Sequence, residues 1–156
     1  MIVGAALALS TAVVHADSYG NGESGPIEGT WVVTIDPPGP VPPTHISVAS
    51  YIKGGVAIGL ADIYLPPNLG VMGNPVGSWT HVRGREYAST IVAFTYNTSG
   101  QATNMVKINL SVTLTSNDRF EGSSQLQVCD LQLVCAPLGP GLAQVSGRRL
   151  EVEPIQ

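Results

Sequence analysis

Charge is what this sequence has least of. Charged side chains make up 12% of the 156 residues, about half the share of an ordinary domain. The seven Lys and Arg form no cluster, and the formal net charge is −4. A mildly acidic surface without a basic patch excludes nucleic acid and anionic membranes as partners. Helical periodicity of normal length is absent, as is any internal repeat of 20 to 50 residues. No Gly-x-Ser-x-Gly elbow, His-Glu-x-x-His pair or phosphate loop is present, so the commonest hydrolase and nucleotide sites are excluded. Beyond the first 16 residues the only histidines are His45 and His81, whose strand parity suggests outward or rim positions. The two cysteines, Cys129 and Cys135, have no neighbouring His or further Cys at ligand spacing, so no metal is expected, and no cofactor either.

Residues Met1 to Ala16 carry no charge, hold an apolar core from Ile2 to Val14 and end in Val14-His15-Ala16. That pattern reads as a signal peptide cut before Asp17, although its basic N-terminal region is missing. The run is too short for the about 20 apolar residues of a membrane span. The expected location is secreted or periplasmic. A polar, glycine-rich lead-in follows over 17–27, then one domain over 28–153 and a tail over 154–156. Cys129 and Cys135 are the only cysteines; in an exported chain they are expected to pair. So short a ring contributes roughly 2 kcal/mol through loop-closure entropy, which stiffens one connection.

What the sequence has in quantity is turn formers, 18 Gly and 12 Pro, between short alternating runs. Gly29 to Ile35 alternates Trp31, Val33 and Ile35 with Thr30, Val32 and Thr34. His45 to Lys53 sets Ile46, Val48 and Ile52 on one face, and Gly54-Gly55 turns it into Val56 to Leu65, whose bulkier face carries Val56, Ile58, Leu60, Asp62 and Tyr64. Gly77 to Arg83 turns at Gly84-Arg85 into Glu86 to Tyr96. The clearest run alternates Val106, Ile108, Leu110, Val112 and Leu114 with polar residues, as a strand with one wet face does. Phe120 to Val128 and Leu142 to Val152 complete eight runs. The fold expected is all-β, an eight-stranded antiparallel up-and-down barrel, with a β-sandwich as the competing arrangement.

Successive connections of a meander fall at opposite ends. The second, fourth and sixth are tight; the first (the Pro37 to Pro43 run), third (Pro66 to Val76) and seventh (the cysteine loop) are long. This implies a tight base and a loop-lined mouth. Trp31 starts at the base, and Gly147-Arg148-Arg149 returns there on the last strand. On Gly29, Trp31 and Arg148 or Arg149 the chain resembles the lipocalins and the wider calycin group, whose barrels open with Gly-x-Trp and stack a late arginine on that tryptophan. Avidin-like barrels also open with Gly-Thr-Trp, but beyond Trp79 their further tryptophans have no counterpart. The lipocalin C-terminal helix is missing as well.

If the bulkier faces point inward, Asp62 and Tyr64, Phe94 and Tyr96, and Asn104 lie near the mouth above Val106 and Ile108. That set makes a polar clamp over an apolar cavity, or else a solvated rim that binds nothing. The leading expectation is a secreted barrel that takes a small, mainly apolar molecule. One alternative is a barrel enzyme of the cyclase or isomerase type, with Asp62 as its weak catalytic candidate. Another is a ligand-free barrel whose surface makes protein contacts. Self-association stays open. Asn97-Thr98-Ser99 and Asn109-Leu110-Ser111 also fit the glycosylation acceptor pattern.

Overall fold

The computed structural model describes residues 27–38, 44–60, 69–139 and 141–151. It is a closed antiparallel barrel built from ten strands: β1 (Gly29–Asp36), β2 (His45–Ile52), β3 (Val56–Leu60), β4 (Val71–Met72), β5 (Val76–Arg83), β6 (Glu86–Tyr96), β7 (Ala102–Leu114), β8 (Arg119–Cys129), β9 (Cys135–Pro137) and β10 (Ala143–Arg149). The strands pair antiparallel in the order β1-β2-β3-β5-β6-β7-β8, β4 adds to β6 and β9 to β8, and β10 pairs with both β8 and β1, so the sheet closes and the β-sandwich alternative falls.

Ten strands make eight staves because two staves are broken. β4 pairs with the end of β6 at Val71↔Tyr96, and β5 takes over from Val76↔Val92. The break falls at Gly73-Asn74-Pro75, where proline withholds a ladder donor. β9 likewise pairs with β8 at Cys129↔Cys135, and β10 resumes at Ala143↔Ser124. The Cys129–Cys135 disulfide forms as expected, across that upper pairing. Both breaks lie at the mouth end. Opposite them, Gly54, Gly55 and Gly84 turn with positive φ at the base, a conformation that glycine adopts without a Cβ penalty.

The base is packed solid. Trp31 is fully buried against Phe120, ring centroids 5.0 Å apart, and its Nε1 donates to Ile27 O at 2.9 Å. The Arg149 guanidinium lies 4.3 Å above the Trp31 ring. Its Nε donates to Asn117 O at 2.9 Å, and Nη1 donates to Glu28 O. Of the two candidate arginines it is Arg149 that caps the base, while Arg148 points to solvent. Gly147 is required here, since a Cβ at that position would sit 2.2 Å from the Phe120 ring. Tyr51, Trp79, Tyr87 and His81 continue the aromatic packing, with successive centroids 6.3, 6.0 and 5.2 Å apart.

That aromatic filling reverses two expected facings. On β2 and β3 the bulky positions face outward: Ile46, Ile52, Val56 and Ile58 are exposed, while Ala49, Tyr51, Ala57 and Gly59 face the interior. Large rings reaching in from other staves leave room only for small side chains opposite them, so volume overrides the hydrophobic preference.

Removing the ring that the closure is packed around leaves a cavity at the base. Trp31→Ala is expected to lower stability by about 3–5 kcal/mol in chemical denaturation. A loss below about 1 kcal/mol would show that the base cap is dispensable.

Candidate functional site

The mouth-side half of the barrel interior is built differently from the base. Val33, Ile35, Ile91, Ile108 and Leu110 form its walls, with Ser47, Ala49, Gly59 and Pro75 as small or flat partners, around a cavity of about 40 Å³. Gly59 and Pro75 are held together by a hydrogen bond from Gly59 N to Pro75 O at 3.1 Å. A volume of that order accommodates a few heavy atoms, well below the 300 Å³ and more of sites for drug-sized ligands. Its walls are apolar, so water finds almost no partners on them.

Of the expected site residues, Val106 and Ile108 are buried on the inner face of β7. Asn104 is half-buried at the mouth end of that strand, opposite Thr95, whose Oγ1 lies 3.5 Å from Asn104 O. Phe94 does not point inward: its ring is 47% exposed on the outer surface. Tyr96 follows a register shift after Thr95 and sits beside Gly73 rather than over the cavity. The shared parity expected of Phe94 and Tyr96 with the inner face is therefore corrected. On β6 the inward set is Tyr87, Ser89, Ile91, Ala93 and Thr95. Asp62 and Tyr64 lie outside the described residues. His81 packs on Tyr87 with its Nε2 2.9 Å from Gly84 O, and His45 is half-buried at the start of β2. Asn109 is tied down on the outer face, accepting from Thr90 Oγ1 at 3.0 Å and donating to Gln127 at 3.3 Å. Among the described residues, no group of three or more His, Cys, Asp or Glu is gathered as a metal site.

Two buried polar groups that sequence reasoning missed lie on the inner face next along the strands from residues that line the cavity. Tyr51 follows the cavity-lining Ala49 on the inner face of β2. Ser89 precedes Ile91 on β6 and is paired in register with Leu110. Both are more than nine-tenths buried, and neither Tyr51 Oη nor Ser89 Oγ makes a hydrogen bond of normal geometry. Burial pushes the Tyr51 phenol above its ordinary value, and the nearby Ser89 hydroxyl partly offsets this. The sequence signal was the run of small inward positions, Ser47-x-Ala49 and Ala57-x-Gly59, that leads to the tyrosine.

A second surface feature lies outside. Ile46 and Ile52 of β2, Val56 and Ile58 of β3, Val76 of β5 and Phe94 of β6 are each at least 38% exposed. Cross-strand partners link them: Ile52↔Val56 and Ile58↔Val76, the latter continuing to Val92. Among its described residues this wall contains no charged side chain between Lys53 and Arg83. The opposite wall, from β7, β8 and β10, carries Lys107, Asn109, Glu121, Gln125, Gln144 and Arg148. No helix of the described residues is long and apolar enough to cross a membrane.

The class that these features define is a closed eight-stave barrel, sealed at the base, with an apolar recess toward the mouth and one outer wall rich in exposed apolar side chains. No protein-family model, curated protein or solved structure matches the chain. The resemblance to lipocalins thus rests on Gly29, Trp31 and the late arginine alone.

The raised Tyr51 phenol has a consequence at alkaline pH. Below about pH 10 the phenol is protonated in both folded and unfolded chains. Above it the unfolded state gives up a proton that the native state still holds, so stability falls as pH rises toward the native value. Denaturation between pH 9 and 11 is expected to show a steeper decline for the unsubstituted protein than for Tyr51→Phe. Equal slopes would show that the phenol ionises as freely in the native barrel as in the unfolded chain.

Proposed function

We propose that this protein works outside the cytoplasm as a barrel that binds a small, mainly apolar molecule in its mouth-side recess. The observation that carries this reading is the contrast along the barrel axis. Aromatic rings fill the base, whereas Ser47, Ala49, Gly59 and Ala93 leave the mouth half underfilled around an apolar cavity of about 40 Å³. Side chains of this size could have been larger without breaking the ladder: a Cβ on Gly59 would meet nothing closer than 3.7 Å. The disulfide is compatible with an oxidising location, in line with the leader expected over residues 1–16. An enzyme reading has less support, since no described pair of side chains is arranged as acid and base around the recess.

Native mass spectrometry of protein from its producing organism tests the reading directly, with retention of a small molecule as the expected result. Ala49→Val, which adds two methyl groups into the recess, is expected to weaken that binding at least tenfold. It should leave stability unchanged or raise it by about 0.5–1 kcal/mol as the void is filled. Undiminished binding in Ala49→Val would place the ligand elsewhere.

The outer wall supports a second reading, in which two copies of the chain pack wall to wall. Each copy carries net charge −4, but among the described residues no charged side chain lies between the paired Ile52, Val56, Ile58 and Val76 beyond Lys53, so the same patch can face itself without like-charge opposition. Covering six half-exposed apolar side chains contributes on the order of 1 kcal/mol each. Association costs about 4–15 kcal/mol, so the dimer is weak and depends on concentration. Sedimentation equilibrium is expected to show a dimer in the unsubstituted protein and monomer alone for Ile58→Asp/Val76→Asp. A strictly monomeric unsubstituted protein at millimolar concentration removes this reading.

A further inference from the structure

The two ends of the barrel differ in charge as well as in packing. All seven Lys and Arg of the chain are among the described residues. Six of them, Lys53, Arg83, Arg85, Arg119, Arg148 and Arg149, sit in the base turns or on the strand ends beside them, and Lys107 lies about halfway along β7. The mouth therefore holds no lysine or arginine, and its described carboxylates are Asp36 and Asp130. In place of charge it exposes bulk: Val71 of β4, Leu131, Leu133 and Val134 of the cysteine loop, and Leu142 before β10 are each at least 48% exposed. The base also exposes Val82 and Leu150, but each stands next to a charged residue, Arg83 and Glu151.

The cysteine loop is built to hold its side chains outward. The Cys129–Cys135 disulfide closes it. Inside it, Asp130 Oδ1 accepts from Gln132 N and Val134 N, both at 2.9 Å, and Asp130 O accepts from Leu133 N at 3.0 Å. Asp130 N donates in turn to Val134 O at 3.0 Å. Leu133 is the one non-glycine among the described residues with a positive φ, 67°, a conformation that a residue with a Cβ adopts at a cost. Its side chain is two-thirds exposed, so packing inside the barrel does not compensate for that backbone. A loop fixed in this way loses little conformational entropy when it docks.

We infer that the mouth rim docks on the surface of an electrically neutral lipid bilayer, with Leu131, Leu133 and Val134 entering the headgroup boundary and the charged base facing water. The exposed side chains come from three separate elements. A fluid interface receives such knobs singly, whereas a rigid protein partner needs a matching hollow for each. Anionic lipid is disfavoured, because the described rim carries carboxylates and the chain places no lysine or arginine there. A second copy docked mouth to mouth is disfavoured for the same reason, since it brings the carboxylates of two rims together. The docking surface stands whether or not the recess is occupied. Taken with the ligand-binding reading, it gives an apolar molecule a path from bilayer to recess that avoids water.

The test is co-sedimentation of the mature chain with phosphatidylcholine vesicles, with no other ligand added. The unsubstituted protein is expected to bind, and Leu131→Ser/Leu133→Ser/Val134→Ser to bind at least about tenfold more weakly, because partitioning scales with buried apolar area. Val82→Ser/Leu150→Ser, at the base, is expected to bind as the unsubstituted protein does. Raising salt from about 0.05 to 0.5 M is expected to change binding less than about twofold, as no lysine or arginine takes part. Absence of binding by the unsubstituted protein overturns the inference, whatever protein the loop is then found to capture. Binding that requires phosphatidylserine in the vesicles overturns it as well, and so does undiminished binding by the triple variant or loss of binding by the base variant. Should the triple variant unfold, Leu133→Gly decides, since it removes the side chain and relieves the positive φ. Its melting temperature is expected to be equal or higher and its vesicle binding weaker; binding as tight as before overturns the inference.

Discussion

The whole barrel depends on how its two ends of chain are joined, and that junction is the burial of Trp31 under Arg149. β1 and β10 are separated by more than a hundred residues, and their pairing converts an open meander into a cylinder without free edges. Trp31 supplies the apolar area at that seam. Arg149 covers the ring and, through Nε and Nη1, donates to the carbonyls of Asn117 in the β7–β8 turn and Glu28 just before β1. A guanidinium suits this place because its fixed fork of donors serves several carbonyls while its flat face lies on the indole. Gly29 and Gly147 complete the arrangement by absence: one leaves space for the arginine, the other for Phe120.

From that filled base the rest of the interior follows. Five aromatic rings enter the lower barrel from β1, β2, β5, β6 and β8, and an eight-stave interior is only just wide enough to be filled by side chains. The facing positions on β2 and β3 must then be small. The apolar residues of those strands, in a chain that is 44% hydrophobic, have nowhere to go but outward. The recess and the exposed outer wall are thus two results of one constraint. Enlarging the inward residues of β2 and β3 closes the first without shrinking the second.

This also explains which parts were legible in the sequence. β7 could be read residue by residue because Val106 to Leu114 alternates against Lys107, Asn109, Ser111 and Thr113, leaving no doubt which face is wet. The base tryptophan, its arginine partner, the tight turns and the disulfide were legible for similar reasons, each carried by a residue type with one structural use. β2 and β3 were not, because His45-Ile46-Ser47-Val48-Ala49 offers bulk on one face and small size on the other, and only the rings from distant strands decide between them. On β6 the inward parity was taken the wrong way round, since Phe94 and Tyr96 alternate with the buried Ala93 and Thr95. The breaks that divide two staves were hidden inside stretches that read simply as long loops. The buried Tyr51 was hidden by the same inversion, since the reading of β2 followed Ile46, Val48 and Ile52, whose parity it does not share.

The position of those breaks matters for access. Both interrupted staves, β4 with β5 and β9 with β10, are broken at the mouth, on either side of the continuous block formed by β6, β7 and β8. The ladder is irregular there rather than open, since Gly73 N still donates to Phe94 O at 2.8 Å and Leu138 N to Leu126 O at 2.8 Å, whereas the base has a cap of buried rings. Local opening follows the lowest density of such bonds and contacts, and the densest contacts are those around the fully buried Trp31 and Phe120 at the base. A recess of about 40 Å³ is small as it stands, but it lies at the end where widening is least opposed. The disulfide between Cys129 and Cys135 limits that widening on one side, because it ties β9 to β8 directly across the pairing. The freer side is the other break, at Gly73 to Pro75, and Pro75 itself is part of the recess wall. Movement at that break therefore changes the size of the recess without breaking the seam that holds the barrel closed.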